Sequence, residues 1–238
     1  MSRIEDQPTP TKGSVLAAVA FDMDGLLVDT EPLWWRAEAE VAAAMGGHWT
    51  EADSIECVGG PMEKVAHIIM ARAGGGDRDT IISDVIERVI ALLATEPVKW
   101  LPGARELVAE CAAMSLPHAL VSASPRPIVN GVLNALGHAA RTFAFTISAD
   151  DVPQTKPAPD PYLEAARQFG CAPSAMLVFE DSPTGTQAAL ASGAMVIAVP
   201  HVGGLVPHPR MHVTTSLSGV NVQWMRRTTQ MLTVATQE

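Results

Sequence analysis

The apolar positions along this chain follow two rhythms. From Val15 to Phe21 they run almost unbroken, then stop abruptly at acidic residues. A short run that is apolar on both faces predicts a buried central strand of a parallel sheet. From Pro32 the spacing changes. Leu33, Trp34, Ala37, Val41 and Ala44 recur at three- and four-residue steps up to Gly46-Gly47, which predicts a helix. A second helix is predicted after Pro61, carried by Val65, Ile68 and Ile69 and stopped by Gly74-Gly75-Gly76. A third runs from about Asp79 to Thr95 on a stripe of Ile82, Val85, Ile86, Val89, Ile90 and Leu93. Helix follows helix with no strand between, so residues 32–97 are expected to form an all-α module.

Beyond Gly103 the pattern alternates. A helix over Ala104 to Met114 precedes a strand at His118 to Val121, and a helix over Pro127 to Leu136 precedes one at Phe143 to Ile147. Helices over Pro161 to Phe169 and Thr184 to Ser192 precede strands at Met176 to Phe179 and Met195 to Val199. A last helix is expected around Val220 to Thr229. Repeated units of this size imply a parallel sheet with right-handed crossovers. The fold class is therefore α/β, a doubly wound parallel sheet formed by residues 14–31 and 98–238. The helical module interrupts it after the first strand, and residues 1–13 form a loose polar leader.

Parallel strands bring their C-terminal ends to one edge, where ligands bind in open α/β sheets. Asp22 and Asp24 follow the first strand, with Gly25 permitting a bend. Two carboxylates so close repel unless a cation or a proton lies between them. By themselves they suit either an acidic turn or a metal-assisted phosphoryl-transfer site. Ser122, Ala123 and Ser124 follow the second strand, Lys156 precedes a helix, and Glu180 with Asp181 follows the fourth strand. Each alone has an ordinary reading: a cap serine, a solvated loop lysine, acids that charge a helix start. Together they place four carboxylates, a hydroxyl and a lysine in one crevice. Asp22, Glu180 and Asp181, with a backbone carbonyl, would offer the hard oxygen ligands that Mg²⁺ prefers. A carboxylate nucleophile can form an aspartyl-phosphate, and an acid two residues on can move the protons. Ser122 and Lys156 would hold the remaining phosphoryl oxygens.

Composition narrows the classes. The 238 residues are 47% hydrophobic and 18% charged, which is globular rather than disordered. The net charge of −10 carries no basic patch, so no nucleic-acid partner is expected. An anionic substrate must then find its positive charge locally. Cys57, Cys111 and Cys171 lack metal-ligand spacing and read as reduced, mostly buried thiols, which suits a cytoplasmic protein. The N-terminus carries no apolar signal segment, and no run approaches the ~20 apolar residues that span a bilayer, so no membrane partner is expected. His201, His208 and His212 show no metal signature and are assigned to loop and surface.

FDMDGLLVDTE, the serine in LVSASPRP, Lys156 in KPAPDPY and FEDSPTGTQAALASGA resemble the four motifs of the haloacid-dehalogenase-like phosphatases. The likeness spans Val15 to Pro200. It is nearest to the branch of β-phosphoglucomutase and the sugar-phosphate phosphatases, which insert a helical cap after the first motif. EPLWWRAEAEV and LPGARELV look like the 2-deoxyglucose-6-phosphate and hexitol phosphatases of that branch. The resemblance implies a Rossmann-like core with Asp22 as nucleophile and Asp24 as general acid/base. It implies Mg²⁺ held by Asp22, the carbonyl of Asp24, Asp181 and Glu180 (directly or through water), with phosphate bound by Ser122, Ala123 and Lys156. A small phosphorylated metabolite would be the substrate, and the chain a monomer or homodimer. Two departures from the mutase stand out. Its histidine twelve residues after the nucleophile is Trp34 here, and Gly59-Gly60-Pro61-Met62 offers no arginine. These favour a phosphatase. A mutase remains the alternative if another cap cation such as Lys64, which reads as a solvated helix residue, substitutes. A phosphonate hydrolase using a cap lysine and a non-catalytic binding protein on the same fold are further alternatives. Trp34 and Trp35 read either as two core or hinge aromatics or as one in the cap core and the other facing substrate.

Overall fold

The computed structural model describes residues 16–57, 61–200 and 203–235. The expectations for the leader, Val15, Gly59-Gly60 and His201 lie outside them. Six parallel strands form the sheet, in the order β5-β4-β1-β6-β7-β8. They are β1 (Ala18–Phe21), β4 (His118–Val121), β5 (Thr146–Ile147), β6 (Met176–Glu180), β7 (Met195–Ala198) and β8 (Met211–Val213). Helices α5 (Ala104–Ala113), α6 (Arg126–Leu136), α7 (Asp160–Phe169), α8 (Pro183–Ser192) and α9 (Val222–Ala235) flank it.

Both faces of the sheet are sealed, which is why β1, β4, β6 and β7 read as unbroken apolar runs. Val19, Phe21, Leu120, Leu177, Phe179 and Ile197 pack on one face with α5, α6 and α9. Ala20, Val121, Val178 and Val196 pack on the other with Tyr162 and Ala165 of α7 and Ala188 of α8. Phe21 and Phe179, on adjacent strands, stack with centroids 5.2 Å apart directly beneath the edge where the acids lie.

Between the first and second sheet strands stand four helices, α1 (Glu31–Ala44), α2 (Glu51–Cys57), α3 (Met62–Ala73) and α4 (Arg78–Leu93). The sequence pattern predicts three of them. The seven-residue α2 is too short for a periodic stripe. It is set by its start, where Thr50 N donates to Asp53 (2.9 Å) and Asp53 N donates to Thr50 Oγ1 (3.3 Å). Two further short strands, β2 (Val28–Asp29) and β3 (Lys99–Trp100), pair antiparallel and clasp the two connections to the helices. Two-residue strands carry no legible alternation. The expected Phe143 to Ile147 strand narrows to Thr146–Ile147 because residues 137–142 form a 3₁₀ turn. His212 corrects the assignment to loop and surface. It sits in β8, half-buried, with its ring edge-on to Trp224 at 5.5 Å.

Removing the Phe179 ring leaves a cavity between β1 and its helices. Phe179→Ala should cost about 3–5 kcal/mol in urea unfolding, with a lower midpoint and an unchanged slope. A loss below about 1 kcal/mol would show that the stack is not part of the core.

Candidate active site

The acids and Ser122 stand where strands of the sheet end, and Lys156 reaches them from a loop. Asp22 continues β1, its N–H donating to Phe179 O at 3.0 Å. Ser122 continues β4, donating to Ile147 O at 2.9 Å. Glu180 closes β6 and Asp181 follows it. Lys156 arrives from the loop before α7 and donates to Val121 O at 2.9 Å, which fixes its ammonium beneath the ends of β1 and β4.

There Lys156 lies between two carboxylates. It donates to Asp22 and pairs with Glu180 at 2.8 Å, with its side chain 4% exposed. The Tyr162 hydroxyl donates to the same Glu180, and Lys156 Nζ lies 5.2 Å from the Tyr162 ring centre. Asp22, Glu180 and Asp181 each offer an oxygen, all within 4.8 Å of one another. Glycines make this density possible. A Cβ on Gly25 (φ +78°) would lie 2.2 Å from Asp181 Oδ2, and one on Gly185 would lie 2.0 Å from Glu180 Oε1. The loop after β1 and the first turn of α8 therefore approach the acids as only glycine allows.

The electrostatics follow from burial. Desolvation pushes Asp22 up to about 8; Lys156 opposes the shift, and Glu180 and Asp24 add to it. Asp181 rises to about 9, first by burial and then by the charges of Asp22 and Glu180. Burial alone would lower Lys156, but Asp22 and Glu180 outweigh it and hold the lysine raised and protonated. Ionised together, three carboxylates against one ammonium would leave two uncompensated negative charges in a nearly dry space. An oxygen-only donor set with that excess fits a divalent cation, and Asp22, Glu180 and Asp181 are the residues that could hold it.

Asp24 turns the other way. Its carboxylate accepts from Thr30, from Ser124 Oγ at 2.9 Å and from Ser122 Oγ at 3.4 Å, and its side chain is not in the three-acid cluster. Burial raises Asp24, with those hydroxyls opposing. Ser122 is thus brought to Asp24, while Ala123 lines a cavity beyond it. The sequence reasoning gave Thr30, Ser124 and Tyr162 no role. All three lie inside or beside the quoted motifs, and their spacing to the acids was the available signal.

Two cavities flank Asp24. One of about 690 Å³ is lined by Asp22, Asp24, Asp181, Thr184 and Trp35. The other, about 370 Å³, lies between the helical insertion and the sheet edge. Trp34 and Trp35 both line the smaller one; Trp34 also packs against the core of the molecule, whereas Trp35 faces both cavities. Lys64 donates to Glu56 O at 2.6 Å and lines neither.

The raised acids set a pH dependence. Asp22 and Asp181, and Glu38 in the insertion (raised to about 8 by burial and the Glu31 charge), keep protons when folded that the unfolded chain releases near the ordinary carboxylate range. That stability is complete below about pH 4 and is lost as pH rises through about 8 to 9. Without divalent cations, the melting temperature should fall steadily from pH 5 to pH 9. Glu40 and Asp53, held at about 2 by arginines, act oppositely below this window, and the His118 imidazole, lowered by burial, acts oppositely only at its acid end, against three raised acids. A melting temperature that rises from pH 5 to pH 9 would contradict the charge balance.

Known proteins resemble this chain over most of its length. Residues 19–199 match the family model described as haloacid dehalogenase-like hydrolase. Hexitol phosphatase B of Escherichia coli K12 is 37% identical over 194 residues, 80% of this chain and 86% of that protein. The phosphorylated carbohydrates phosphatase of Thermotoga maritima is 30% identical over 178 residues, 75% of this chain and 82% of its own length. The structure of CbbY from Rhodobacter sphaeroides in complex with phosphate superposes with a TM-score of 0.76 at 26% identity, covering 88% of this chain and 98% of that one. The chain belongs to the haloacid dehalogenase-like hydrolases, and is an enzyme of that family.

Proposed function

We propose that this enzyme is a Mg²⁺-dependent phosphatase of small phosphomonoesters, sugar or polyol phosphates above all. The observation that carries the reading is the buried cluster of Asp22, Glu180, Asp181 and Lys156 beside Asp24 at one sheet edge. The relatives named as hexitol and carbohydrate phosphatases support the substrate class. Residues 32–97 would act as the cap, and the protein would work in the cytoplasm as a monomer or homodimer.

The proposed roles follow from position. An Asp22 oxygen attacks phosphorus, the P–O bond to the alcohol breaks, and Asp24 gives the leaving oxygen its proton. Asp24 then takes a proton from water as that water attacks the aspartyl-phosphate, releasing inorganic phosphate and restoring Asp22. Burial equips Asp24 to carry the proton. Lys156 holds Asp22 oriented and, with Ser122 and the amide of Ala123, would bind the phosphoryl oxygens. Mg²⁺ at Asp22, Glu180, Asp181 and the Asp24 carbonyl would neutralise the excess charge and polarise the phosphoryl group. The mutase alternative needs cations for a second phosphate, and none of the described residues lining the 370 Å³ cavity is basic.

Two substitutions test the roles. Asp22→Asn should lower kcat by roughly three decades or more on any phosphomonoester the wild type hydrolyses. Unchanged turnover would overturn the mechanism. Asp24→Asn should slow turnover by roughly 100-fold or more while Mg²⁺ affinity, read by calorimetry, stays within about threefold. Loss of metal binding would show that its side chain is a ligand and not the proton carrier.

A further inference from the structure

A buried carboxyl in the helical insertion has half of its hydrogen-bonding capacity unused. Glu38 of α1 is 3% exposed, and its Oε2 has no partner among the described residues. The other side of the carboxyl is held by a short relay. Trp49 Nε1 donates to Ser54 Oγ at 2.8 Å, so the single Ser54 proton is left for Glu38. This fixes the carboxyl in place and leaves one oxygen unanswered. A buried polar atom without a partner calls for an explanation, and a ligand that supplies the missing bond is one.

The surroundings say which kind of ligand. Glu38 lines the 370 Å³ cavity that also touches Asp24, Trp34, Trp35, Met62 and Ser124. One end of this space therefore reaches the proposed proton carrier, and the other is walled by the insertion. Its volume is that of a small-molecule site. The lining has no lysine, arginine or histidine among the described residues, but Glu31 and Glu63 flank Glu38. A second phosphate or a carboxylate on the leaving group would meet acids and indole rings and find no counter-charge. Burial and the Glu31 charge raise Glu38 to about 8, so near neutrality it is an uncharged acid, suited to an uncharged hydroxyl.

We infer that Glu38 is a specificity-determining residue, whose open oxygen hydrogen-bonds a hydroxyl on the leaving group of a phosphomonoester whose carbon skeleton is neutral and polyhydroxylated. The assignment rests on the phosphatase reading. Trp34 and Trp35 supply the apolar walls for the skeleton, and Glu38 supplies the directional contact. Because the carboxyl is locked by Ser54, it discriminates by position: an alcohol lacking the matching hydroxyl leaves Oε2 unpaired again.

The test compares sugar or polyol phosphates with their single-deoxy analogues in wild type, Glu38→Met and Glu38→Gln. In wild type, one deoxy position should lower kcat/KM by about 10- to 100-fold. Glu38→Met, close in volume and without the acid, should erase that penalty, so that the two substrates differ by less than about threefold. It should melt no lower than wild type, since it removes a buried unpaired group. If Glu38→Met does not fold, Glu38→Leu reads the same contrast and should likewise erase the penalty, whereas Glu38→Gln, whose Oε1 accepts from Ser54 and whose Nε2 donates as the neutral acid does, should keep the penalty within about threefold of wild type. An equal penalty in wild type and the apolar Glu38 variant, or no penalty at any position, overturns the assignment while leaving the phosphatase reading intact. Wild-type protein that releases phosphate from no monoester overturns both.

Discussion

A lysine ammonium and three carboxylates cannot be sealed into the end of a parallel sheet without a further positive charge. That constraint organises the active end of this molecule. Lys156, pinned by the Val121 carbonyl, answers one of the three acids. Burial, and after it the remaining excess of negative charge, pushes Asp22 and Asp181 far above the ordinary carboxylate range. Everything nearby supports keeping these charges close. Tyr162 braces Glu180, Gly25 and Gly185 let backbone approach the acids, and the Phe21–Phe179 stack forms the dry floor beneath them. A divalent cation resolves the imbalance, and the proposed chemistry uses the same positive charge on the phosphoryl group.

Around that centre the chain divides its labour. The sheet strands deliver acids and lysine from sequence positions more than 150 residues apart, from Asp22 to Asp181. Asp24 stands just outside the cluster, hydrogen-bonded by Thr30 at the start of α1 and by Ser122 and Ser124 after β4. Thr30 spends its hydroxyl on Asp24 and makes no side-chain cap to α1. The same helix carries Trp34, Trp35 and Glu38 one and two turns on. The helical insertion is therefore joined to the reacting end of the core by the residue proposed to carry the proton, and α1 presents the groups inferred to recognise the leaving alcohol.

Much of this was legible in the sequence because buried parallel strands leave no room for polar residues. His118–Val121 was read with its observed bounds, and β6 and β7 to within one residue. The acids and Lys156 stood out because they interrupt such runs. What escaped was short or non-local. β2, β3 and α2 are too brief to show a period, and β8 is set by pairing with β7 at the sheet edge. Tyr162 and Ser124 lay within quoted motifs, yet their partners are fixed only by the fold. Glu38 gave no warning at all. In RAEAEV it looks like its neighbour Glu40, but Glu40 is at the surface between Arg36 and Arg88, whereas Glu38 faces inward.

The charge imbalance is the central claim, and proton release on cation binding tests it most directly. Acids that hold protons for want of a counter-charge must give them up when a cation arrives. Mg²⁺ titrated into the protein near pH 7.5, in buffers of different ionisation enthalpy, should release about one to two protons per ion. Wild-type binding with no buffer dependence, or no binding, would contradict the account, because Asp22, Glu180 and Asp181 would then already be balanced.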